Sequence, residues 1–399
     1  MLEAKTVVLG VTGGIAAYKA ADLASKLTQA GASVNVIMTE SARQFIAPMT
    51  FRAITHRPVV TGMFDLGSEF SVEHVALASA ADIVVIAPAT ANTIARLATG
   101  IADDMLTTTV LATTAPVVVA PAMNVNMWEN PVTQENVARL KERGFIMVGP
   151  GYGRLAEGRT GMGRMVEPGE IMGTVQQVLG RQGDLAGRRI VVTAGGTREA
   201  IDPVRYIGNR SSGKMGFALA AAARDRGADV TLVTTPVSLE PPVGVEVINV
   251  ESAAQMKEAV VRATARADAL IMAAAVADYQ ARSTAGQKIK KEAAGADLTI
   301  ELTRTPDILS EVTGDFIKVG FAAETEDLLT NARDKLQRKG AHLFVANDVT
   351  AADSGFGTDT NKVTIMDREG STEDLPLMTK REVADRVLDR VAGMWTEKR

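Results

Sequence analysis

The chain has no cysteine in its 399 residues and only three histidines, His56, His74 and His342. No disulfide, thiolate metal site or cysteine nucleophile is therefore available, and a histidine-rich metal centre is excluded. Aromatic residues make up 4% of the sequence, too few for base stacking to be a main binding device. A formal net charge of -4 and a pI near 5.6 argue against a general binder of nucleic acid or acidic membranes. No apolar run reaches the roughly 20 residues that a membrane-spanning helix needs. No signal peptide is visible before the first apolar strand, so the expected compartment is the cytoplasm. Neither half carries Gly-x-Gly-x-x-Gly after its first strand, which counts against a standard dinucleotide fingerprint.

What is present is apolar content of 46%, enough for real cores, in a chain long enough for two or three domains. Short β-branched runs read as buried strands over 6–11, 33–38, 81–87 and 116–120, with a helix expected over 15–30. The second half repeats this grammar. Val192-Thr193-Ala194-Gly195-Gly196 echoes Val11-Thr12-Gly13-Gly14, the stretch from Gly227 to Val233 echoes Gly31 to Ile37, and the stretch from Ala267 to Ala273 echoes Ala81 to Ala87. Strands alternating with helices predict an α/β chain of two tandem Rossmann-like, doubly wound parallel-sheet domains. The seam is placed in the polar stretch Gly180-Arg181-Gln182-Gly183-Asp184, giving domains over residues 1–182 and 187–399.

Ligands of open parallel sheets bind beyond the carboxyl ends of the strands. There the second half places Gly195-Gly196-Thr197, the cations Arg198, Arg205 and Arg210, Asn209, and then Ser211-Ser212-Gly213 before an alanine-rich helix. A strand, a Gly turn and a helix start offer amide groups and a dipole to an anion, and arginines suit carboxylates and phosphates. The first half instead offers Gly13, Gly14 and Ile15, then Thr39 and Ser41, Pro88, Thr90 and Asn92, and Asn124. These small neutral groups suit a phosphate and a polar ring system, although Thr or Asn after a strand also serves as an ordinary helix cap.

The segments from Pro88 to Thr93 and from Pro121 to Trp128 resemble the two signatures of the homo-oligomeric flavin-containing cysteine decarboxylases. Gly13 to Lys19 resembles that family's FMN-phosphate loop, and His74 falls at its active-site histidine. The resemblance implies a flavodoxin-like first domain in which FMN oxidises a cysteine thiol to a thioaldehyde that then accepts the electron pair left by departing CO2. It gives Asn124 the substrate carboxylate and His74 a part in proton or hydride steps. The family's proton-donating clamp cysteine is replaced here by Glu157, in the stretch from Leu155 to Met165. A carboxylic acid with a raised pKa can donate a proton.

The second half resembles phosphopantothenate–cysteine ligases through Asn209, the stretch from Ala273 to Tyr279, Lys288 to Lys291, Thr305-Pro306-Asp307-Ile308, Gly320 to Thr325, and Lys335 with Lys339. The order of flavin domain then ligase domain is that of the bacterial bifunctional enzymes of coenzyme A biosynthesis. The resemblance implies that CTP, with Mg2+, activates 4′-phosphopantothenate as an acyl-cytidylate, which the cysteine amine attacks. It gives Asn209 and Arg205 the phosphopantothenate, and Lys288 the turnover of the adduct. Ala273, Ala274, Ala275, Asp278, Lys288, Thr305, Pro306, Asp307, Ile308, Phe321, Lys335 and Lys339 receive the nucleotide. It further implies a homo-oligomer, a dodecamer built from trimeric flavin and dimeric ligase contacts. Two other readings are a flavin-binding regulatory or ligase-only protein, suggested by Glu157, and a nicotinamide oxidoreductase, opposed by the missing glycine fingerprint.

Overall fold

The computed structural model describes residues 2–63, 73–290, 298–324, 328–348, 355 and 357–396, without the side chains of 323, 324, 328–332 and 348. Lys291 and Thr325 lie outside the described residues. The chain divides into two compact units, Met1–Leu179 and Gly180–Arg399.

The first unit runs β1 (Thr6–Val11), α1 (Ala17–Gln29), β2 (Ser33–Met38), α2 (Pro48–Thr55), β3 (Val59–Val60), α3 (Glu73–Ala80), β4 (Ile83–Ala89), α4 (Ala91–Thr99), α5 (Met105–Ala112), β5 (Val117–Pro121), α6 (Val125–Glu129), α7 (Pro131–Glu142), β6 (Ile146–Met147), β7 (Gly151–Arg154), β8 (Thr160–Arg164) and α8 (Pro168–Gly180). Six parallel strands lie in the order β3-β2-β1-β4-β5-β6, and β7 and β8 form a separate antiparallel hairpin. Successive residues of β1 feed opposite cores: Val7, Leu9 and Val11 pack on one face of the sheet and Val8 on the other. Burial on both faces is why these strands read as continuous apolar runs rather than alternating ones. Helix α1 buries Ala17, Ala20, Leu23, Ala24 and Leu27, the stripe expected of a helix laid on a sheet.

The second unit runs β9 (Arg189–Ala194), β10 (Arg198–Ala200), β11 (Tyr206–Gly208), α9 (Lys214–Asp225), β12 (Asp229–Thr234), β13 (Glu246–Asn249), α10 (Ala253–Thr264), β14 (Ala269–Met272), β15 (Tyr279–Ala281), β16 (Leu302–Arg304), α11 (Ile308–Glu311), β17 (Ile317–Glu324), α12 (Leu328–Arg338), β18 (Leu343–Asp348), β19 (Thr360–Asp367), β20 (Thr372–Thr379) and α13 (Lys380–Thr396). Its sheet has the order β13-β12-β9-β14-β17-β18-β19-β20. The first six are parallel neighbours and repeat the order of the first unit; β19 and β20 extend the edge antiparallel.

The echo from Ala81 and Ala267 has a physical content. Asp82 accepts the backbone N–H of Thr6 at 2.8 Å and the Lys5 ammonium at 3.0 Å. Asp268 accepts the backbone N–H of Arg189 at 2.8 Å and the Arg188 guanidinium at 3.5 Å. In each unit one carboxylate thus braces the amino end of the first strand against the fourth. In each, the strand order reverses between those two strands, at β1/β4 and at β9/β14, and the crevice that opens there at the carboxyl ends is the expected ligand position.

Candidate functional sites at the two strand edges

In the first unit the crevice is drawn together by Thr12. Its hydroxyl donates to the carbonyl of Pro88 at 2.7 Å and accepts the N–H of Thr90 at 3.1 Å, joining the tips of β1 and β4. Thr90 caps α4 through Thr93 N–H, and Thr39 accepts Ala42 N–H at 3.3 Å beyond β2. A methyl group on Gly13 would lie 2.5 Å from Cβ of Ser41, so only glycine lets these loops approach. A side chain on Gly14 would meet nothing within 4 Å. The start of α1, at Ala16, has no side-chain cap, so the loop from Gly13 through Ile15 leaves backbone amides for an anion. Lys19 is not part of that loop's charge: it is buried and donates to the Met165 carbonyl and to Glu167. Asn92 and Ile15 are exposed at the rim.

Asn124 caps α6, its Oδ1 accepting the Asn126 N–H at 2.8 Å. That bond fixes the amide so that Nδ2 is the outward donor, and Nδ2 meets Oε1 of Glu157 in a short hydrogen bond. Glu157 sits at the tip of the β7–β8 hairpin. The hairpin is seated on the β5–α6 loop, since Met123 N–H donates to Gly163 O at 2.9 Å. A Cβ on Gly163 would lie 2.3 Å from the Met123 carbonyl. Two residues 33 positions apart, singled out separately in the sequence, are therefore in contact. His74 lies half-buried in the first turn of α3; no hydrogen bond among the described residues joins it to Asn124.

In the second unit the tips of β9 and β14 continue to pair beyond the sheet. Ala275 N–H donates to Gly195 O at 2.8 Å and Thr197 N–H to Ala275 O at 3.1 Å. Thr193 accepts the Ala274 N–H at 3.0 Å, and Asn209 donates its side-chain amide to Ala275 O at 2.9 Å. The predicted residues Asn209, Ala273, Ala274 and Ala275 thus meet at one edge. Gly320 pairs with Met272, so Phe321 stands one step beyond the end of β14. Thr305 donates to Asp278 O and Ala277 O, which places the Pro306-Asp307 turn beside the same edge. Lys339 reaches Oδ1 of Asp307 at 3.4 Å, while Lys335, one helical turn earlier, is half-buried. Burial would raise the Asp307 carboxyl; hydrogen bonds from Ser310 and the Lys339 charge outweigh it and hold it below the ordinary value.

The segment expected as a loop of cations is in fact the hairpin β10–β11, and sequence reading missed its organiser, Asp202. This buried carboxylate accepts Val204 and Arg205 N–H through Oδ1, and Arg205 Nε, Arg205 Nη2 and Ile289 N–H through Oδ2. Arg205 Nη2 also donates to Ile289 O at 3.1 Å. One carboxylate therefore holds Arg205 beside Ile289, the residue after Lys288, and Lys288 is exposed. The Arg205 guanidinium, with the three backbone N–H bonds, keeps the Asp202 carboxyl far below the usual carboxylate range. Thr235 was missed as well. It follows β12 as Thr39 follows β2, and its buried hydroxyl is the one buried side-chain polar atom without a partner among the described residues. Also among the described residues, no group of three His, Asp or Glu stands where it could hold a metal ion, and no helix is long and apolar enough to cross a membrane.

Residues 1–180 match the Flavoprotein family and residues 185–394 match the family described as DNA/pantothenate metabolism flavoprotein C-terminal domain. The chain is 48% identical to a coenzyme A biosynthesis bifunctional protein CoaBC of Bacillus subtilis (strain 168), over 99% of this chain and 98% of that protein. It belongs to the coenzyme A biosynthesis bifunctional protein family. Another member, from Escherichia coli (strain K12), is 44% identical over 100% of this chain and 99% of its own. Among solved structures, the C-terminal domain of a coenzyme A biosynthesis bifunctional protein CoaBC matches with 41% identity and a TM-score of 0.46, covering 54% of this chain and 99% of that one. By the residues that the two family models match, the flavoprotein part falls in the first unit and the C-terminal part in the second.

Proposed function

We propose that the two crevices carry the two halves of one synthesis. The chain is a bifunctional enzyme of coenzyme A biosynthesis. Its second unit couples 4′-phosphopantothenate to cysteine at the expense of CTP, and its first unit decarboxylates the product to 4′-phosphopantetheine. The observation that carries this division is the contrast between a first-unit edge of glycines, hydroxyls and the Asn124–Glu157 pair and a second unit that brings in Arg205 and the Asp307–Lys339 pair.

In the ligase step, a carboxylate oxygen of phosphopantothenate attacks the α-phosphorus of CTP and pyrophosphate leaves. The cysteine amine then attacks the acyl carbon, CMP leaves, and the amine loses a proton. A carboxylate must approach a triphosphate bearing about four negative charges, so cations have to offset the repulsion. Arg205 and Asn209 are assigned to the phosphopantothenate part, and Lys288 to the adduct. Asp278, Thr305, Pro306, Asp307, Ile308, Phe321, Lys335 and Lys339 take the nucleotide, which brings Mg2+ with it.

The first unit fits FMN: the space over Gly14 is open, the start of α1 lacks a side-chain cap, and the neighbouring donors are neutral. Bound FMN supplies a two-electron oxidation of the substrate thiol and later returns the electrons. Asn124 holds the substrate carboxylate through Nδ2. As the C–C bond to that carboxylate breaks, its electron pair moves onto the thiocarbonyl. Glu157, at the hairpin tip, delivers the proton to carbon when the double bond is finally reduced, and His74 serves the accompanying proton step. The exposed apolar residues Ile15, Tyr18, Phe45 and Met49 support self-association of this unit.

The test is threefold on the purified full chain. It should carry flavin absorbance, release pyrophosphate only with CTP, phosphopantothenate and Mg2+ together, and release CO2 from 4′-phosphopantothenoylcysteine. Failure of the second or third assay in flavin-loaded, folded protein removes that half of the reading.

A further inference from the structure

Lys318, the second residue of β17, is buried. Its ammonium donates to Leu309 O and Val312 O, each at 2.9 Å, and to Lys339 O at 3.4 Å. The first two carbonyls close the carboxyl end of α11; the third follows the last residue of α12. Arg368 caps the same end of α12, donating to Ala341 O at 2.6 Å and, in a short bond, to Gly340 O. Carbonyls at a helix end have no intrahelical partners and carry negative dipole charge, so a buried cation is a stable partner for them.

The two elements it joins carry the Asp307–Lys339 pair. Asp307 is the cap at the amino end of α11, accepting Ser310 N–H, and Lys339 reaches across to it from the end of α12. We propose that Lys318 is a positioning residue of the nucleotide subsite: it fixes the spacing of the Asp307 turn and the Lys339 turn without touching the nucleotide itself. The inference rests on the assignment of Asp307 and Lys339 to CTP. Burial pushes the Lys318 ammonium below its ordinary pKa, Arg368 pushes the same way, and Asp307 opposes them.

The experiment uses the full chain with Lys318→Met and, because that substitution leaves three carbonyls unpaired, also the milder Arg368→Met at an exposed guanidinium. Steady-state ligase kinetics are measured with each substrate varied in turn, and CO2 release by the first unit reports that the chain is intact. A shift of about 1 Å in a positioning group costs on the order of ten- to a hundredfold. The KM for CTP should rise about tenfold in Lys318→Met and about threefold in Arg368→Met. The kcat at saturating CTP and the KM for phosphopantothenate should stay within about twofold. Unchanged KM for CTP in both variants overturns the proposal, as does a parallel loss in kcat and every KM, the signature of general loosening. Should Lys318→Met not fold, the Arg368→Met split decides alone. Calorimetric titration of the unsubstituted chain with CTP and Mg2+ separates the two levels: no binding there removes the nucleotide assignment itself.

Discussion

At the amino ends of their first strands the two units are built alike, down to the aspartate that receives a strand N–H and a basic side chain. At the carboxyl ends they part. The first unit closes its crevice with hydroxyls, glycines and a side-chain amide that donates to the Glu157 carboxylate. In the second, the hairpin beyond β9 holds a guanidinium tied to a buried carboxylate next to the residue after exposed Lys288, and an Asp–Lys pair stands beside the β14 edge. One sheet order therefore serves two chemistries because the order fixes where a crevice lies, while the loops alone fix its charge.

The comparison is sharpest at Lys288. Lys288→Gln should lower ligase turnover by about a hundredfold or more and leave CO2 release from supplied 4′-phosphopantothenoylcysteine unchanged; equal loss of both would break the separation. Glu157→Ala should act on the first unit alone, at the final reduction. Formation of the reduced thiol product should fall about a hundredfold, with pyrophosphate release intact. Gly13→Ala, which puts a methyl group 2.5 Å from Ser41, should weaken flavin retention about tenfold, the scale of overpacking. Gly196→Ala meets the Asn209 carbonyl at 3.1 Å and should cost the ligase less. Both are read by flavin content and ligase KM.

Acid should separate the units next. The Asp202 carboxyl is held below its unfolded value, so its contribution to stability is complete above about pH 4 and is lost as pH falls through the folded pKa. Melting of the second unit should therefore decline on acidification below about pH 4 more steeply in the native chain than in Asp202→Asn. A parallel decline would show that Asp202 is not the anchor described. The smallest effects belong to the shared brace. Asp82→Asn and Asp268→Asn should each destabilise their own unit by about 1 kcal/mol, and unequal losses of more than about twofold would mean that the duplication is only formal.

The strands and their alternation with helices were legible because β-branched runs and 3.6-residue stripes are local signals. Boundaries moved by two residues where a glycine turn intervened: the helix expected from Ile15 begins at Ala17, after the Gly13-Gly14 turn. The β10–β11 hairpin was illegible because each strand has three residues, with polar or charged groups among them. Its organiser, Asp202, accepts five hydrogen bonds, one of them from Ile289 far along the chain, which no local pattern announces. The positions of Thr39, Thr90 and Asn124 just beyond strands were legible, since they follow from the sheet alone. Their contacts were not: Asn124 with Glu157, or Arg205 with Ile289, depend on how hairpins fold back over 33 and 84 positions.

The paired aspartates lie at the far end of the strands from the loops proposed to take the ligands. Replacing a whole tip loop therefore leaves the register of the first and fourth strands held from below. A designer could exchange the rim of either crevice, seeking a different acyl acceptor or a different thiol, while keeping the same foundation under it.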